Sequence, residues 1–326
     1  MQKKQNTNLV EIVKCLSGKV PVSGNNIAQK LNISRSAVWK AIKKLQSYGI
    51  LIKSHKNGYY LDEELVLLSP QSIISNLGNI QKINLEIFET IDSTNQYYLD
   101  NHVDHNTTHV CLAEYQSNGK GRLGRTWTSP FGQNLYLSIC TFIDTDLSTL
   151  GGLSLVVSLA IAKTLKTLTQ DDEIKVKWPN DVIYKKQKLS GSLIQLISEQ
   201  NGLCKIIIGV GINVNMIKSQ SIDIKQDWCS IRNIINQSIN RNIVAAKLIT
   251  NILDYFNIFR KNGFEYFIDE WEKTDCFFGR EVSLYNNEQT ITGIEKGVNR
   301  NGQILLSTNG LTTAYSCGET TFSKHH

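Results

Sequence analysis

The chain changes character at Asp62, and that break limits what it can fold into. Residues 1–61 carry eleven Lys/Arg and one acid, Glu11, while the other 265 residues carry 24 Lys/Arg against 28 Asp/Glu. A small basic unit fused to a larger, mildly acidic body accounts for this segregation, and the basic unit is expected to meet a polyanion. Charge alone leaves a solvated basic surface as the alternative. With 326 residues, 41% apolar and 20% charged, the chain has material for two or three cores.

Seven scattered cysteines, an odd number without a C-x-x-C pair, suggest neither a disulfide framework nor zinc, and no metal site is expected. Free thiols suit a reducing cytoplasm. The first eight residues are polar and precede no signal-like apolar run. The most apolar stretch, 153–162, contains Ser154 and Ser158 and is too short to span a bilayer. A cytoplasmic protein without a membrane partner is expected.

In the basic unit, Leu9, Val10, Ile12, Val13 and Leu16 form a helical stripe. A short helix over 25–31, a tight turn at Asn32-Ile33 and a longer helix over 34–48 follow, the last capped by Ser34 and stopped by Gly49. Ala37, Val38, Ala41, Ile42 and Leu45 face inward on it. Arg35, Ser36, Trp39, Lys40, Lys43 and Lys44 occupy the other face. Strands over 50–54 and 58–61, joined by His55-Lys56-Asn57, complete a winged helix-turn-helix. Its second helix has the form of a major-groove reader, with Lys40, Lys43 and Lys56 near phosphates. Trp39 fits equally as a packing residue or a DNA contact, and a protein-binding winged helix is the competing reading.

From residue 84 strands dominate. A strand over 85–88 runs into Asp92-Ser93-Thr94-Asn95, where Asp92 or Ser93 caps a helix. A strand over 110–115 leads through Gln116 to Gly119-Lys120-Gly121-Arg122-Leu123-Gly124-Arg125-Thr126-Trp127. The glycines match the dinucleotide fingerprint, but Ser129-Pro130-Phe131-Gly132 and a strand follow where that motif must open a helix. Flexible amides beside Lys120, Arg122 and Arg125 instead suit a carboxylate and a phosphate held close together. After a core helix over 152–168, a strand over 174–177 delivers Lys177-Trp178-Pro179-Asn180-Asp181, read as a turn aiming its polar pair outward. Lys188-Leu189-Ser190-Gly191 opens a strand over 192–197. Asn201-Gly202 turns it into a strand over 204–210 ending at Gly211-Ile212-Asn213.

Taken together, Ser93-Thr94-Asn95, Gln116, the Gly119–Arg125 loop with Trp127, Lys177 to Asp181, Lys188 to Gly191 and Gly209-Val210-Gly211-Ile212-Asn213 resemble the biotin protein ligases. The winged helix resembles their bifunctional, biotin-operon-repressing members. The resemblance implies an α+β chain in three units. These are a winged helix-turn-helix (1–66), a mixed α/β, class II synthetase-like catalytic domain (67–273) and an SH3-like β-barrel (274–326), whose strands are expected over 281–285, 289–298, 303–307 and 311–316.

It also implies ATP with Mg2+ and biotin as substrates, giving biotinyl-5′-AMP and then a biotinylated lysine on biotin carboxyl carrier protein. Arg122, Lys188, Asp181 and Lys177 become the catalytic candidates, with Asp181 orienting or deprotonating the acceptor lysine. Ser93, Thr94, Asn95, Gln116, Lys120, Gly121, Arg122, Lys188 and Gly191 become biotin contacts. Arg125, Trp127, Lys177, Asn180, Asn213 and Trp228 become adenylate contacts, with a mobile loop over 216–228. Ser34, Arg35, Ser36, Trp39, Lys40, Lys43 and Lys56 would contact operator DNA, and biotinyl-AMP would favour a homodimer.

One position departs from the family. Lys120 stands where Arg is usual, keeping the charge and losing the bidentate fork. Two other readings stay open: a biotin-sensing repressor with decayed ligase activity, against which the intact Lys177–Asp181 run and Arg122 argue, and a ligase whose winged helix no longer binds DNA.

Overall fold

A computed structural model describes residues 9–18, 20–78, 83–198, 203–217, 224, 226–286 and 289–322. In the first unit α1 (Leu9–Leu16) buries Leu9, Ile12, Val13 and Leu16, the spacing that puts four apolar side chains on one face. The Ser23 hydroxyl caps α2 (Gly24–Leu31), which stops at Asn32 in the left-handed region (φ 52°). Ser34 caps α3 (Arg35–Ser47), accepting from the Ala37 amide at 3.1 Å. Val38, Ile42 and Leu45 are buried on α3, whereas Trp39 is 53% exposed, so its side chain belongs to the outer face. The wing pairs β1 (Ile52–His55) with β2 (Gly58–Leu61). Its first strand begins two residues later than the sequence suggests because the Ile50 amide donates to Leu45 O and closes the end of α3.

After α4 (Pro70–Asn76), capped by Ser69, comes a seven-stranded sheet. Its spatial order is β3 (Ile83–Phe88), β4 (Thr108–Ala113), β5 (Leu135–Asp144), β9 (Leu203–Ile212), β8 (Gln187–Ser198), β7 (Asp181–Tyr184) and β6 (Ile174–Lys177). Only β3 and β4 run parallel. Strand alternation divides the side chains between two layers. Val110, Leu112, Ile206 and Ile208 join the core under α6 (Leu153–Thr169) and α8 (Arg241–Asn262). Cys111, Cys140 and Ile207 pack on the opposite face with Tyr98 of α5 (Thr94–Asp100). The strand β7 corrects the sequence reading, which had only a turn here. Four residues between two tight turns are too short to show a period. The 201–202 turn lies outside the described residues, as do positions 218–223 and 225 of the 216–228 loop.

α7 (Ile231–Ile235) precedes α8, and α9 (Ile268–Thr274) leads into β10 (Glu281–Asn286), β11 (Gln289–Val298), β12 (Ile304–Thr308), β13 (Leu311–Tyr315) and β14 (Glu319–Phe322). These form an antiparallel sheet in the order β13-β12-β11-β10-β14. Its inner residues Val282, Leu284, Ile304 and Leu306 continue the core of the seven-stranded sheet. The first unit is joined as closely. Phe131, between β4 and β5, is fully buried in the winged-helix core. Its amide donates to Tyr48 O (2.9 Å), and Tyr48 stacks on Tyr115 at 3.7 Å. No helix among the described residues is long and apolar enough to cross a membrane.

Two buried charge arrangements hold these units together. Arg241 and Glu114 are 0% and 1% exposed and pair at 2.6 Å. Arg241 also donates to Asn134 O (3.1 Å) and Val66 O (3.0 Å), and Glu114 accepts from the Leu68 amide (2.6 Å). Where α9 meets β11, burial pushes Asp275 up to about 7 and Glu295 up to about 8, the latter also through the neighbouring Asp275 charge. Glu295 Oε2 has no hydrogen-bond partner.

Truncating Arg241 to Ala should cost about 3–5 kcal/mol in urea unfolding by leaving Glu114 buried and unpaired, while Arg241→Met with Glu114→Leu should recover most of the loss. Below the carboxyls' ordinary range Asp275 and Glu295 are neutral in both the folded and unfolded chain. In the folded chain they keep their protons up to about pH 7–8, whereas the unfolded chain loses them at the ordinary values of 3.8 and 4.5, so stability is lost progressively between those values and levels off above about pH 8. Glu295→Gln should flatten the fall in melting temperature between its ordinary value of 4.5 and its folded value of about 8.

Candidate functional site

Four segments meet at one end of the seven-stranded sheet. At the first, Ser93 rather than Asp92 caps α5, and Asp92 Oδ1 accepts from the Ser93 amide. The next residue, Thr94, is locked to the second segment, since its amide (2.8 Å) and hydroxyl (3.2 Å) both donate to Gln116 Oε1. Gln116 Nε2 donates to Ser129 Oγ at 3.1 Å. Asn95 is committed to the protein, accepting from Ser138 Oγ (2.6 Å) and donating to Leu193 O and Gln195 Oε1. A Cβ at Gly209 would stand 2.1 Å from Asn95 Oδ1, and one at Gly211 would stand 2.4 Å from Trp127 Cε2. The glycines of β9 are therefore the slots into which Asn95 and Trp127 pack.

The basic loop is a tight turn. The Gly121 amide donates to Arg125 O (2.7 Å), and Leu123 (φ 53°) and Gly124 (φ 72°) reverse the chain. The chain then runs to β5 with no α-helix, whereas a dinucleotide-binding loop must open one. Arg122 donates to Asn180 Oδ1 at 3.2 Å, and burial lowers its guanidinium below the ordinary value. Arg125 pairs with Glu319 of β14. Lys120 donates to Gln96 Oε1 (2.5 Å), which holds the loop against α5. Lys188 Nζ lies 2.7 Å from Asp181 Oδ1 and 5.6 Å from the Trp127 ring centroid.

These side chains enclose a cavity of about 150 Å³. It brings together Ser93, Thr94, Asn95, Gln116, Lys120, Gly121, Arg122, Arg125, Trp127, Asn180, Asp181, Lys188, Gly191, Asn213 and Trp228. Lys177 does not line it, because β6 is the outer strand of the sheet and the Lys177 charge acts on Cys276 instead. The neighbouring Trp178 is buried and donates from Nε1 to Gly302 O, so it anchors the C-terminal sheet. Asn213 is partly committed, its Nδ2 donating to Lys188 O and Cys229 O. Glu319 is the charged lining residue that sequence reasoning missed, alongside neutral ones such as Thr128, Ser192 and Gln226. It stands 194 positions from Arg125 in a segment without a local motif.

The chemistry of the lining fits an anionic, partly aromatic ligand. Lys120, Arg122, Arg125 and Lys188 exceed Asp181 and Glu319 in charge. Two buried polar atoms, Trp127 Nε1 and Asp181 Oδ1, lack hydrogen bonds, the latter despite its ion pair. No group of three or more His, Cys, Asp or Glu suited to a metal occurs among the described residues. A second concavity of about 830 Å³ lies between α2, α3 and the wing, lined by Arg35, Ser36, Trp39, His55, Lys56 and Tyr59. Lys40 and Lys43 are exposed on α3 beside it, and Ser34 serves as the helix cap.

Residues 87–213 match the biotin/lipoate A/B protein ligase family, and residues 9–60 match a helix-turn-helix domain. The chain is 34% identical to the bifunctional ligase/repressor BirA of Escherichia coli over 97% of both chains. It is 27% identical to the bifunctional ligase/repressor BirA of Bacillus subtilis, over 92% of this chain and 94% of that one. Among solved structures, the biotin protein ligase of Aquifex aeolicus in complex with biotin and ATP superposes with a TM-score of 0.62 at 29% identity. That match covers 73% of this chain and 97% of the other.

The slot geometry makes a prediction that holds whatever the ligand. Gly209→Ala should destabilise the protein by about 1–3 kcal/mol in urea unfolding, since its methyl must displace Asn95 from a satisfied network. An unchanged midpoint would show that Asn95 moves aside freely.

Proposed function

The chain belongs to the bifunctional biotin ligase/repressor family, and on that premise we propose that this cavity joins biotin to AMP and then to a lysine of biotin carboxyl carrier protein. The observation that carries the reading is the convergence of four cations and an orphaned indole N–H on a pocket that Thr94 and Gln116 also line, hydrogen-bonded to each other. Ser93, Thr94 and Gln116 present neutral polar groups to biotin's ring end, and the basic loop takes its carboxylate. ATP enters with its Mg2+ as substrate.

In the first step a biotin carboxylate oxygen bonds to the α-phosphorus while the bond to the β-phosphate bridge breaks, and pyrophosphate leaves with that electron pair. The carboxylate is already ionised near neutrality, so no base is required. Arg122 and Lys188 offset charge on the phosphate oxygens, with Arg125 and Lys120 at the rim. Trp127 and Trp228 enclose the adenylate, and Asn180 holds Arg122. In the second step the carrier lysine nitrogen bonds to the acyl carbon, AMP leaves, and the amine loses a proton. Asp181 orients that amine or accepts its proton, with Lys188 beside it. Lys177 contributes at most at a distance.

The winged helix makes the chain a repressor of biotin synthesis in the cytoplasm. One α3 reads only a few base pairs, so operator binding needs a two-fold dimer. Biotinyl-AMP favours that dimer through differential affinity, typically about 1–3 kcal/mol per coupled site. Unbiotinylated carrier protein lowers repression by consuming the adenylate.

Incubation with ATP, labelled biotin and a biotin carboxyl carrier protein should label one carrier lysine, and no labelling would refute the ligase reading. Arg122→Gly should release biotinyl-AMP and label bystander lysines, whereas undiminished retention would remove Arg122 from the phosphate site. Sedimentation and operator binding should both tighten with biotin plus ATP, and unchanged constants would refute the corepressor role. Deleting residues 1–66 should abolish DNA binding and also weaken biotin affinity, because it strips Phe131, Tyr115 and Arg241 of partners. Unaltered affinity in a folded fragment would show that the two units are energetically independent.

A further inference from the structure

The outward face of α3 is chemically lopsided. Arg35, Lys40 and Lys43 supply charge, Ser36 supplies a hydroxyl, and α3 contains no acidic residue. Cations on such a face hold phosphates or donate to the acceptor edge of guanine, and a serine hydroxyl pairs with any base, so none of them reads a methyl group. Trp39 differs in kind. It is the fifth residue of α3, in the half of the helix that enters a groove. It is 53% exposed, although a tryptophan in water forfeits a large apolar contact. The Lys43 ammonium lies 6.0 Å from its ring centroid, and the indole also forms a wall of the concavity between α3 and the wing.

We propose that Trp39 is a specificity-determining residue of the DNA-binding face and that it reads thymine through its C5-methyl group. The proposal rests on the repressor reading above. Duplex DNA is the occupant because Arg35, Lys40, Lys43 and Lys56 surround the indole with positive charge. Thymine's methyl is the apolar feature of the major-groove edge, and O4 beside it is an acceptor. The indole offers an apolar body and a donor-only N–H, which complements both. Cytosine, with no methyl and an N4 amine donor at that place, offers the indole no acceptor. Trp39 therefore reads the thymine methyl, which the flanking cations do not recognise.

The test uses the full chain with biotin and ATP to enrich duplexes from a randomised library. Each thymine of an enriched duplex is then replaced by deoxyuridine, which removes only the methyl, and affinity is read by fluorescence anisotropy. Wild type should bind about fourfold more weakly when one thymine loses its methyl, and about fifteenfold more weakly when both thymines of a symmetry-related pair do. Trp39→Gln should keep its melting temperature, bind the parent duplex more weakly and be indifferent to that substitution. Its salt dependence should match wild type, since no phosphate contact is lost. Trp39→Phe should retain the methyl sensitivity. An enriched duplex to which wild type is methyl-insensitive, or a Trp39→Gln protein as methyl-sensitive as wild type, overturns the proposal. A reduced salt slope for Trp39→Gln also overturns it by making Trp39 a phosphate-side residue. Failure to enrich any sequence overturns the repressor reading itself, a result separate from loss of the Trp39 assignment alone.

Discussion

The ion pair between Arg241 and Glu114 is the constraint on which the rest of the structure hangs. Both groups are out of water, so losing either partner would cost the fold several kcal/mol, although Arg241 Nε itself has no hydrogen-bond partner. The partners recruited to satisfy them are structural corners. Glu114 ends β4 and takes the linker amide of Leu68, and its own carbonyl accepts from Gly132. Arg241 opens α8 and grips the carbonyl of Asn134 just before β5. Asn134 in turn accepts from the Val214 amide, beyond the end of β9. One desolvated pair thereby sets where the 114–134 segment, the 213–217 segment and the linker stand relative to one another. Those segments carry much of the cavity wall.

The winged helix is seated on the same segment. Gln116 follows Tyr115, which stacks on Tyr48 at the end of α3, and Trp127 and Ser129 precede Phe131, which fills the winged-helix core. Gln133 Nε2 donates to Gly49 O on the other side of that contact. The distance in sequence between a residue lining the cavity and one touching the DNA-binding unit is one position at Gln116–Tyr115 and four at Trp127–Phe131. The basic loop and the end of α3 are therefore joined through a continuous set of packed side chains.

At the C-terminal end the arrangement is different in kind. Trp178 donates to Gly302 O and Thr320 donates to Trp178 O, so the Lys177–Asp181 run works partly as a dock for the five-stranded sheet. That docking brings Glu319 to Arg125. The carboxyl pair Asp275 and Glu295, at the same seam, ties the seating of the sheet to proton uptake. The seam therefore bears on the active site and on stability at once.

Local chemistry was legible wherever one residue's own preference decided the outcome. Ser34 capped α3, Asn32 took the left-handed turn, and Gly121 and Gly124 made a loop rather than a helix start. The charge break at Asp62 marked a unit whose outer face is basic, and the combined motifs pointed to one family. Tertiary structure decided what depends on distance. The sequence put Trp39 on the outer face of α3 but left open whether it packs there, and the structure leaves it 53% exposed because α3 packs through Val38 and Ile42. Lys177 falls outside the cavity because β6 is the last strand of the sheet, and strand order is a long-range property. Glu319 enters because β14 docks against Trp178, a pairing between residues 142 positions apart that no local pattern encodes. A short-range preference costs a residue nothing to express alone, while strand order and buried pairing exist only once the whole chain has given up its freedom to form them.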